Sequence, residues 1–338
     1  MKTEPPLEIH RMRPASDRTN PAEGTVEWSP VKSLWFTGHL LIAAVWAWPA
    51  FSPGAVLVSF GFTVLTLCLG HTVGLHRLLI HRSFACPRWL EHLLVHLGTV
   101  VGMGGPFSML YQHDIRDWAQ RHRRCHPFFI DQRPWLRDAL WQLHCRIRLK
   151  HPPRFEIEPE VREDRFYRLQ QRTWMLQQLP YAAVLYLLGG ASWVVWGVSV
   201  RIVVSLTGHW LIGYLAHHHG DRTWHLEGHA VQGFNIPHLG LLTMGECWHN
   251  NHHAFPGSAR LGLDRTQHDP GWWALRIMTR LGLITNVTLP VTMPARPERI
   301  SLHCGQTPDL DIPSIMIAIP VPATRNRTAE VRDLFDPL

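Results

Sequence analysis

Charged side chains are absent from a long stretch near the start of the chain, between Lys32 and Arg77. Two apolar segments fill most of this stretch, Leu34–Trp48 and Ala55–Leu75, and the Pro- and Gly-containing residues 49–54 separate them. About 20 apolar residues are needed to span a bilayer, and Pro and Gly mark turns. The pattern therefore predicts a transmembrane hairpin with a very short loop.

A second charge-poor stretch lies between Arg172 and Asp221, and one charge, Arg201, interrupts it. Its two arms are Thr173–Leu188 and Trp193–Ala216, with two glycines at the break between them. Gaps of this length are rare in soluble folds, which favours a second transmembrane hairpin over a buried hairpin of a soluble protein. We expect the long side chain of Arg201 to reach the outer leaflet, as arginines near helix ends do.

The distribution of charge predicts the orientation of these arms. Residues 77–172 contain 17 Lys and Arg against 10 Asp and Glu, whereas the two short hairpin loops contain no charge. Positive residues favour the cytoplasmic side, so we expect the middle segment, both termini and the region after Ala216 on that side. The net charge of +7 then follows from membrane orientation, and no nucleic-acid-binding motif is visible.

The predicted fold is thus an all-α integral membrane protein, with four transmembrane helices in two hairpins under a cytoplasmic helical cap. Shorter cap helices are expected at Trp89–Val101, Asp164–Gln178 and Trp272–Leu283. The polar, Pro-rich residues 1–30 are expected to be a disordered tail without a signal peptide. Residues 31–293 would form the membrane domain, and residues 294–338 a C-terminal tail.

Histidine is the residue type that points to chemistry, since the chain contains 24 of them. Three groups stand at the predicted cytoplasmic ends of apolar segments: His76 and His81, then His217–His219, then His249, His252 and His253. On a helix, residues at i, i+3 and i+4 share one face, and neutral imidazole is the commonest nitrogen ligand of metals. The six cysteines form no C-x-x-C pair, so a zinc ribbon is not indicated.

At these positions the chain resembles the membrane-bound fatty acid desaturase family. The sequence GLHRLLIHRSF, residues 74–84, resembles the first histidine box of that family, and GECWHNNHHAFP, residues 245–256, resembles its last box. His217 matches a further family histidine at the end of the last transmembrane helix. The resemblance covers residues 34–290.

The middle box is the point of departure, because the family has H-x-x-H-H there. Counted from Gly105-Pro106, the box begins at His113, and Arg116 and Asp117 replace the paired histidines. A second register begins at His122 and ends at His126. The first register fits both ends of the segment better, and in it Asp117 could bind a metal through a carboxylate oxygen.

The resemblance implies an oxygen-dependent oxidoreductase that introduces a double bond into a fatty-acyl chain at a di-iron centre. The implied electron donor is a ferredoxin, a flavodoxin or cytochrome b5, and the acyl chain would be carried by CoA, an acyl carrier or a lipid. The departure in the middle box leaves the second iron open, and with it two alternatives: a membrane di-iron hydroxylase or ketolase, and a non-catalytic metal-binding protein. Ligands inside the bilayer would indicate metal transport, whereas these histidines cluster at helix ends.

The candidate site follows from the motifs and the resemblance together. The expected metal ligands are His76, His81, His113, Asp117, His217, His249, His252 and His253. Glu246 and Asn250 are expected to hydrogen-bond to those ligands and orient them.

Overall fold

The computed structural model describes residues 11–130 and 134–302. Residues 1–10 of the predicted tail 1–30, and residues 303–338 of the predicted tail 294–338, lie outside the described part of the chain. The fold is mostly helical, as predicted. The helices are α1 Pro30–Trp46, α2 Pro53–Leu65, α3 Arg88–Val100, α4 Pro106–Gln120, α5 Pro127–Ile130, α6 Trp135–His144, α7 Pro159–Arg162, α8 Arg165–Thr173, α9 Gln178–Val194, α10 Arg201–Ala216, α11 His249–Ala254 and α12 Pro270–Arg280. Two π-helical segments, Thr66–Ile80 and Val195–Val200, extend α2 and join α9 to α10.

The first predicted hairpin corresponds to α1 and to the long helix formed by α2 and its π-helical extension. The turn between them ends at Ser52, whose hydroxyl accepts a hydrogen bond from the backbone N–H of Ala55, and Pro53 occupies the first helical position. Both residues are typical of a helix start. The continuous helix Pro53–Ile80 is 28 residues long and apolar enough to cross a membrane.

The second hairpin also corresponds to helices. Residues 178–216 form a helical run of 39 residues that is long and apolar enough to cross a membrane, but Gly190 interrupts it with φ 66° and ψ −161°. The break falls inside the predicted turn. The two hairpin turns meet, because the Ser192 hydroxyl donates to the carbonyl of Ala50 at 2.5 Å and the Trp196 indole donates to that of Ala47 at 3.0 Å.

Arg201 does not occupy the position expected from the sequence. Its side chain is 0% exposed, and it donates to the side-chain oxygen of Gln178 at 2.6 Å and to the carbonyl of Gly197 at 2.8 Å. The guanidinium also lies 4.5 Å from the ring centre of Phe62. The expectation that it snorkels to the outer leaflet is wrong, because the side chain is buried within the helix bundle. Two of its nitrogens have partners there, while Nη1 has no hydrogen-bond partner among the described residues.

Close packing between the π-helical segment Thr66–Ile80 and α3 fixes the core beneath the histidines. Gly70 and Gly74 allow this approach: a Cβ atom at Gly70 would lie 2.3 Å from the backbone of Leu97, and one at Gly74 would lie 2.3 Å from the carbonyl oxygen of Leu94. The shorter helices predicted at Trp89–Val101, Asp164–Gln178 and Trp272–Leu283 are present as α3, α8 and α12. Helix α3 has the predicted length and starts one residue earlier, whereas α8 and α12 are shorter than expected.

Part of the predicted N-terminal tail is ordered. The strands are β1 Met12–Arg13, β2 Gly24–Trp28, β3 Cys145–Leu149, β4 Arg154–Phe155, β5 Trp224–Leu226 and β6 Arg299–Ser301, and they pair antiparallel as β1–β4, β2–β3 and β5–β6. The expectation of disorder is therefore wrong for the strand residues between 11 and 30. Their partners lie more than 100 residues away, so local composition did not reveal the pairing. Likewise, β6 carries order past residue 293, where the C-terminal tail was expected to begin.

Candidate metal centre

Two groups of histidines converge in the described part of the chain, and each could hold a metal ion. The first, called here the four-histidine cluster, consists of His76, His81, His113 and His252. The second, called the three-histidine cluster, consists of His217, His249 and His253. Within each cluster, one nitrogen from every ring lies within 4.8 Å of the others. Seven of the eight expected ligands are thus in a cluster, and Asp117 is not.

The π-helical winding brings His76 and His81 together. In an α-helix, residues five apart point about 140° away from each other. Here the N–H of His81 bonds to the carbonyl of His76 at 3.1 Å, an i to i+5 turn that closes the π-helical segment. The two rings consequently have centroids only 4.9 Å apart.

Helix α4 adds His113, whose Nε2 lies 3.2 Å from Nε2 of His81. Gly105 and Pro106 begin this helix, so the register counted from them is the one that contributes to a cluster. His122 instead contacts the carbonyl of Trp118 through Nδ1 at 2.8 Å. His126 accepts the N–H of Phe128, and neither histidine belongs to a metal-binding cluster among the described residues.

The short helix α11 serves both clusters. His249 and His253 belong to the three-histidine cluster, with Nε2 atoms 3.0 Å apart, and His249 Nε2 lies 3.2 Å from Nε2 of His217. His252 belongs to the four-histidine cluster, where its ring centroid is 4.6 Å from that of His76. The three histidines that were expected to share one face of a helix are therefore divided between the two clusters.

A buried chain of charges stands behind His76. Its Nδ1 lies 2.7 Å from Oε2 of Glu246, and the other oxygen of Glu246 accepts from the hydroxyl of Thr72 at 2.8 Å. Arg77 lies 3.5 Å from Glu246 and donates to Oδ1 of Asp269 at 2.8 Å. Arg77 and Asp269 are each 1% exposed. This arrangement fixes the ring of His76 with its Nε2 free for a metal.

Among the described residues, the Asn250 side chain forms no hydrogen bond to a clustered histidine, so the expectation that it bonds directly to a ligand is wrong. Its side-chain oxygen accepts the N–H groups of Thr223 and Trp224, and its amide donates to the carbonyls of Trp224 and Gly233. The residue therefore ties α11 to the loop after α10, and it orients His249 through the backbone.

Asp117 is one helical turn after His113 on α4, and its carboxylate accepts from Arg121 at 2.6 Å. Burial acts to raise the pKa of Asp117, but Arg121, His113 and His253 outweigh it and hold the pKa below the usual range. Arg116, the other replacement in the middle box, donates to Gln142 at 2.7 Å. Two positions of the middle box therefore carry no histidine. Asp117 is an ionised carboxylate that is already paired with Arg121, and Arg116 is hydrogen-bonded to Gln142 of α6.

The comparison with known protein families agrees with this geometry. The fatty acid desaturase family model matches residues 46–276, more than half of the chain. The chain belongs to the fatty acid desaturase family. The resemblance predicted from the histidine motifs is confirmed, and so is the enzyme class, an oxidoreductase that acts on fatty-acyl chains.

Several curated desaturases are similar over most of the chain. An sn-1 stearoyl-lipid 9-desaturase of Anabaena variabilis is 37% identical over 77% of this chain and 93% of its own length. The Arabidopsis thaliana Delta-9 acyl-lipid desaturase 2 is 34% identical over 75% of this chain and 81% of its own. An acyl-CoA C20 Delta5-desaturase of Anemone leveillei is 29% identical over 82% and 88%, respectively.

The electrostatics of this desaturase site favour neutral, metal-binding imidazoles. Burial, followed by the neighbouring rings, lowers the pKa of His249 and His252 well below the usual value and that of His253 to about 3. Burial would raise the pKa of Glu246, but His76 and Arg77 outweigh it, and the pKa lies below the usual range. The rings therefore have free lone pairs at neutral pH, beside a carboxylate that remains ionised.

Sequence reasoning missed four residues that contact this site: Thr72, Arg77, Asp114 and Asp269. His113 Nδ1 lies 3.1 Å from Asp114, and Asp114 in turn pairs with the buried Arg11 at 3.0 Å. One signal could have found Asp269, because an Asp followed by Pro is typical of a helix start. Arg11 belongs to the segment predicted as a tail, and no local pattern indicates its role.

Proposed function

We propose that this protein is a membrane-embedded, oxygen-dependent fatty-acyl desaturase, with seven histidines that hold two iron ions. The observation that carries the proposal is the pair of imidazole clusters, which share α11 in a chain of the desaturase family. His76, His81, His113 and His252 would bind one ion. His217, His249 and His253 would bind the other, with Asp117 as an eighth candidate ligand. Glu246 and Asn250 would orient those ligands.

The donor set fits iron. Imidazole nitrogens suit Fe as well as Zn and Cu, and the lowered pKa values keep the rings available. In the described residues neither cluster includes a cysteine sulfur, which matches a site for oxygen chemistry rather than a structural zinc site. When bound, iron would supply the oxygen activation that protein side chains alone cannot.

The reaction balances with an external reductant. An acyl CH2–CH2 unit loses two hydrogens and O2 accepts four electrons in all. Two of these electrons come from the acyl chain, the other two come from a donor protein, and two protons come from solvent. The products are one cis or trans double bond and two water molecules. We infer that the donor is a ferredoxin, a flavodoxin or cytochrome b5. The acyl chain would be carried by a lipid, by CoA or by an acyl carrier, of which the similar proteins are named for the first two.

The proposal includes a four-span topology with the clusters on the cytoplasmic side. It is supported by the two hairpin turns that meet at one end of the helices and by the basic middle segment on the opposite end. Large apolar side chains on the outer faces of these helices are exposed, for example Leu57 at 69% and Leu187 at 83%. Labelling of single cysteines at Ser52 and Arg123 with a membrane-impermeant reagent in intact cells tests it, and only the former should react.

The test of the enzymatic function is expression in a host that lacks its own desaturase, followed by fatty-acid profiling and iron analysis of the purified protein. Wild type should form unsaturated acyl chains in air and none without oxygen. His249→Ala should form none. His219→Ala is the matched control, because His219 belongs to the same HHH sequence as His217 but is exposed, and it should behave as wild type.

Each other outcome has a distinct meaning. Hydroxylated chains in place of unsaturated ones would support the hydroxylase alternative on the same scaffold. Iron-loaded protein that yields neither product, with the donor protein supplied, would overturn the desaturase assignment. Activity retained in His249→Ala would show that the three-histidine cluster is not required.

A further inference from the structure

The two histidine clusters differ in more than the number of rings. In the four-histidine cluster, two imidazoles have carboxylates on their outer nitrogens: Glu246 lies 2.7 Å from His76 and Asp114 lies 3.1 Å from His113. A carboxylate in this position makes a metal-bound imidazole more basic and fixes its orientation. This cluster therefore has more imidazoles, and two of them are oriented by carboxylates.

In the three-histidine cluster, the outer nitrogen of His217 has no carboxylate partner among the described residues. His217 contacts the carbonyl oxygen of Gly213 through Nδ1 at 2.7 Å, and its Nε2 is 3.4 Å from the amide of Gln120. The outer contact of this ring is thus a neutral backbone group rather than a carboxylate. With three imidazoles, the cluster also leaves more of a metal's coordination positions to be filled by other ligands than a four-imidazole cluster does.

One further carboxylate, that of Asp117, is a candidate ligand for the three-histidine cluster, but it forms an ion pair with Arg121. Asp117 is four residues after His113 and three before Gln120, so all three lie on the same face of α4. His113 belongs to the four-histidine cluster, and Gln120 Nε2 lies 3.4 Å from His217 of the three-histidine cluster. The guanidinium of Arg121 binds the Asp117 carboxylate at 2.6 Å. The helix face that runs between the two clusters thus carries a carboxylate that is ionised but already paired with a cation.

We propose that the two clusters bind metal with unequal affinity, and that the Arg121–Asp117 ion pair sets the affinity of the three-histidine cluster. The four-histidine cluster fills first. The three-histidine cluster fills second, and its affinity rises when Asp117 is released from Arg121. Arg121 is thus a positioning residue that acts through Asp117. This inference rests on the proposed function, because it assumes that both clusters take iron.

The experiment is an anaerobic titration of metal-free protein with Fe(II), with bound iron measured against a competing chelator. Wild type should bind two ions in separate steps, and His253→Ala should lose the weaker step alone. Arg121→Gln should tighten the weaker step about 10-fold or more, a change of the size that residues around metal ligands produce. Arg121→Lys keeps a cation and a donor beside Asp117, and it should remain close to wild type.

The double variant Arg121→Gln with Asp117→Asn tests whether the gain in iron affinity passes through the Asp117 carboxylate or comes only from the loss of the Arg121 cation. If the gain passes through the Asp117 carboxylate, the double variant should lose it. If the gain persists, the role assigned to Asp117 is overturned. Thermal unfolding of each metal-free variant checks that the fold is retained.

Two further outcomes distinguish this inference from the proposed function. Two ions bound with equal affinity, or a weaker step unchanged by Arg121→Gln, would overturn the inference and leave the di-iron proposal standing. Wild-type protein that binds no iron would overturn both.

Discussion

Glu246 Oε2 lies 2.7 Å from His76 Nδ1, although the two residues are far apart along the chain. The last histidine motif therefore supplies more than ligands, since its Glu246 orients a ligand of the first motif. The carboxylate also contacts Arg77, which binds Asp269 at the start of α12. These contacts connect α12, which follows the last histidine motif, to His76 of the first motif.

Glu246→Gln should weaken metal binding at the four-histidine cluster about 10- to 100-fold, because the neutral amide keeps the shape but not the charge beside His76. Binding at the three-histidine cluster should not change. An anaerobic Fe(II) titration measures both steps. The exposed Glu227 provides a control, and Glu227→Gln should match wild type. An unchanged first step in Glu246→Gln would mean that the contact does not tune the ligand.

Asp269→Asn should destabilise the fold by ~3–5 kcal/mol, because it removes the nearer charged partner of the buried Arg77 guanidinium and leaves only the 3.5 Å contact with Glu246. Thermal and chemical unfolding in detergent micelles measure the loss. Combining Asp269→Asn with Arg77→Met removes the buried positive charge of Arg77, so the double variant should recover much of the stability. The exposed Asp17 offers a control substitution to Asn. If the double variant is no more stable than the single one, the buried charge of Arg77 is not the cause.

His252→Ala and His253→Ala should have different effects on metal content although the residues are adjacent. His252→Ala removes a ligand of the four-histidine cluster, and His253→Ala removes one of the three-histidine cluster. Each purified variant should therefore retain iron at the other cluster, while both lose desaturation. Iron per chain and product profiles from one preparation test this. Loss of all iron in both variants would indicate a single shared site.

Gly70→Ala and Gly74→Ala should each destabilise the protein by ~1–3 kcal/mol, as overpacking does, since the added methyl group would meet the backbone of α3. Gly61→Ala is the matched control: Gly61 lies on α2 of the same long helix, and a methyl group added there would have nothing within 4 Å. The midpoint of thermal unfolding in detergent compares the three. Equal midpoints would show that α3 can move away without penalty.

The sequence predicted the apolar helices well because charge-free gaps and Pro/Gly turns are local features. It also identified seven histidines that the structure brings into clusters. It did not predict how α11 divides its rings, because helical spacing places His249, His252 and His253 on one face without locating the metals. Nor did it predict the π-helical turn at His76, since nothing in the H-x4-H spacing distinguishes that winding from an α-helix.

Long-range contacts account for the other differences. Arg11 lies in a polar, Pro-rich segment, yet it pairs with Asp114 and with Glu158 at 2.7 Å and is 2% exposed. The burial of Arg201 similarly depends on Gln178, a residue at the start of α9. Such pairings form between distant positions, so composition and periodicity carry no information about them.

The division of α11 between the clusters has a geometric consequence. His252 and His253 are consecutive, so one peptide unit, with Cα atoms about 3.8 Å apart, connects a member of the four-histidine cluster to a member of the three-histidine cluster. Covalent geometry, rather than the packing of separate helices, therefore limits how far these two side chains can move apart. A shift of α11 that displaces a member of one cluster necessarily displaces a member of the other.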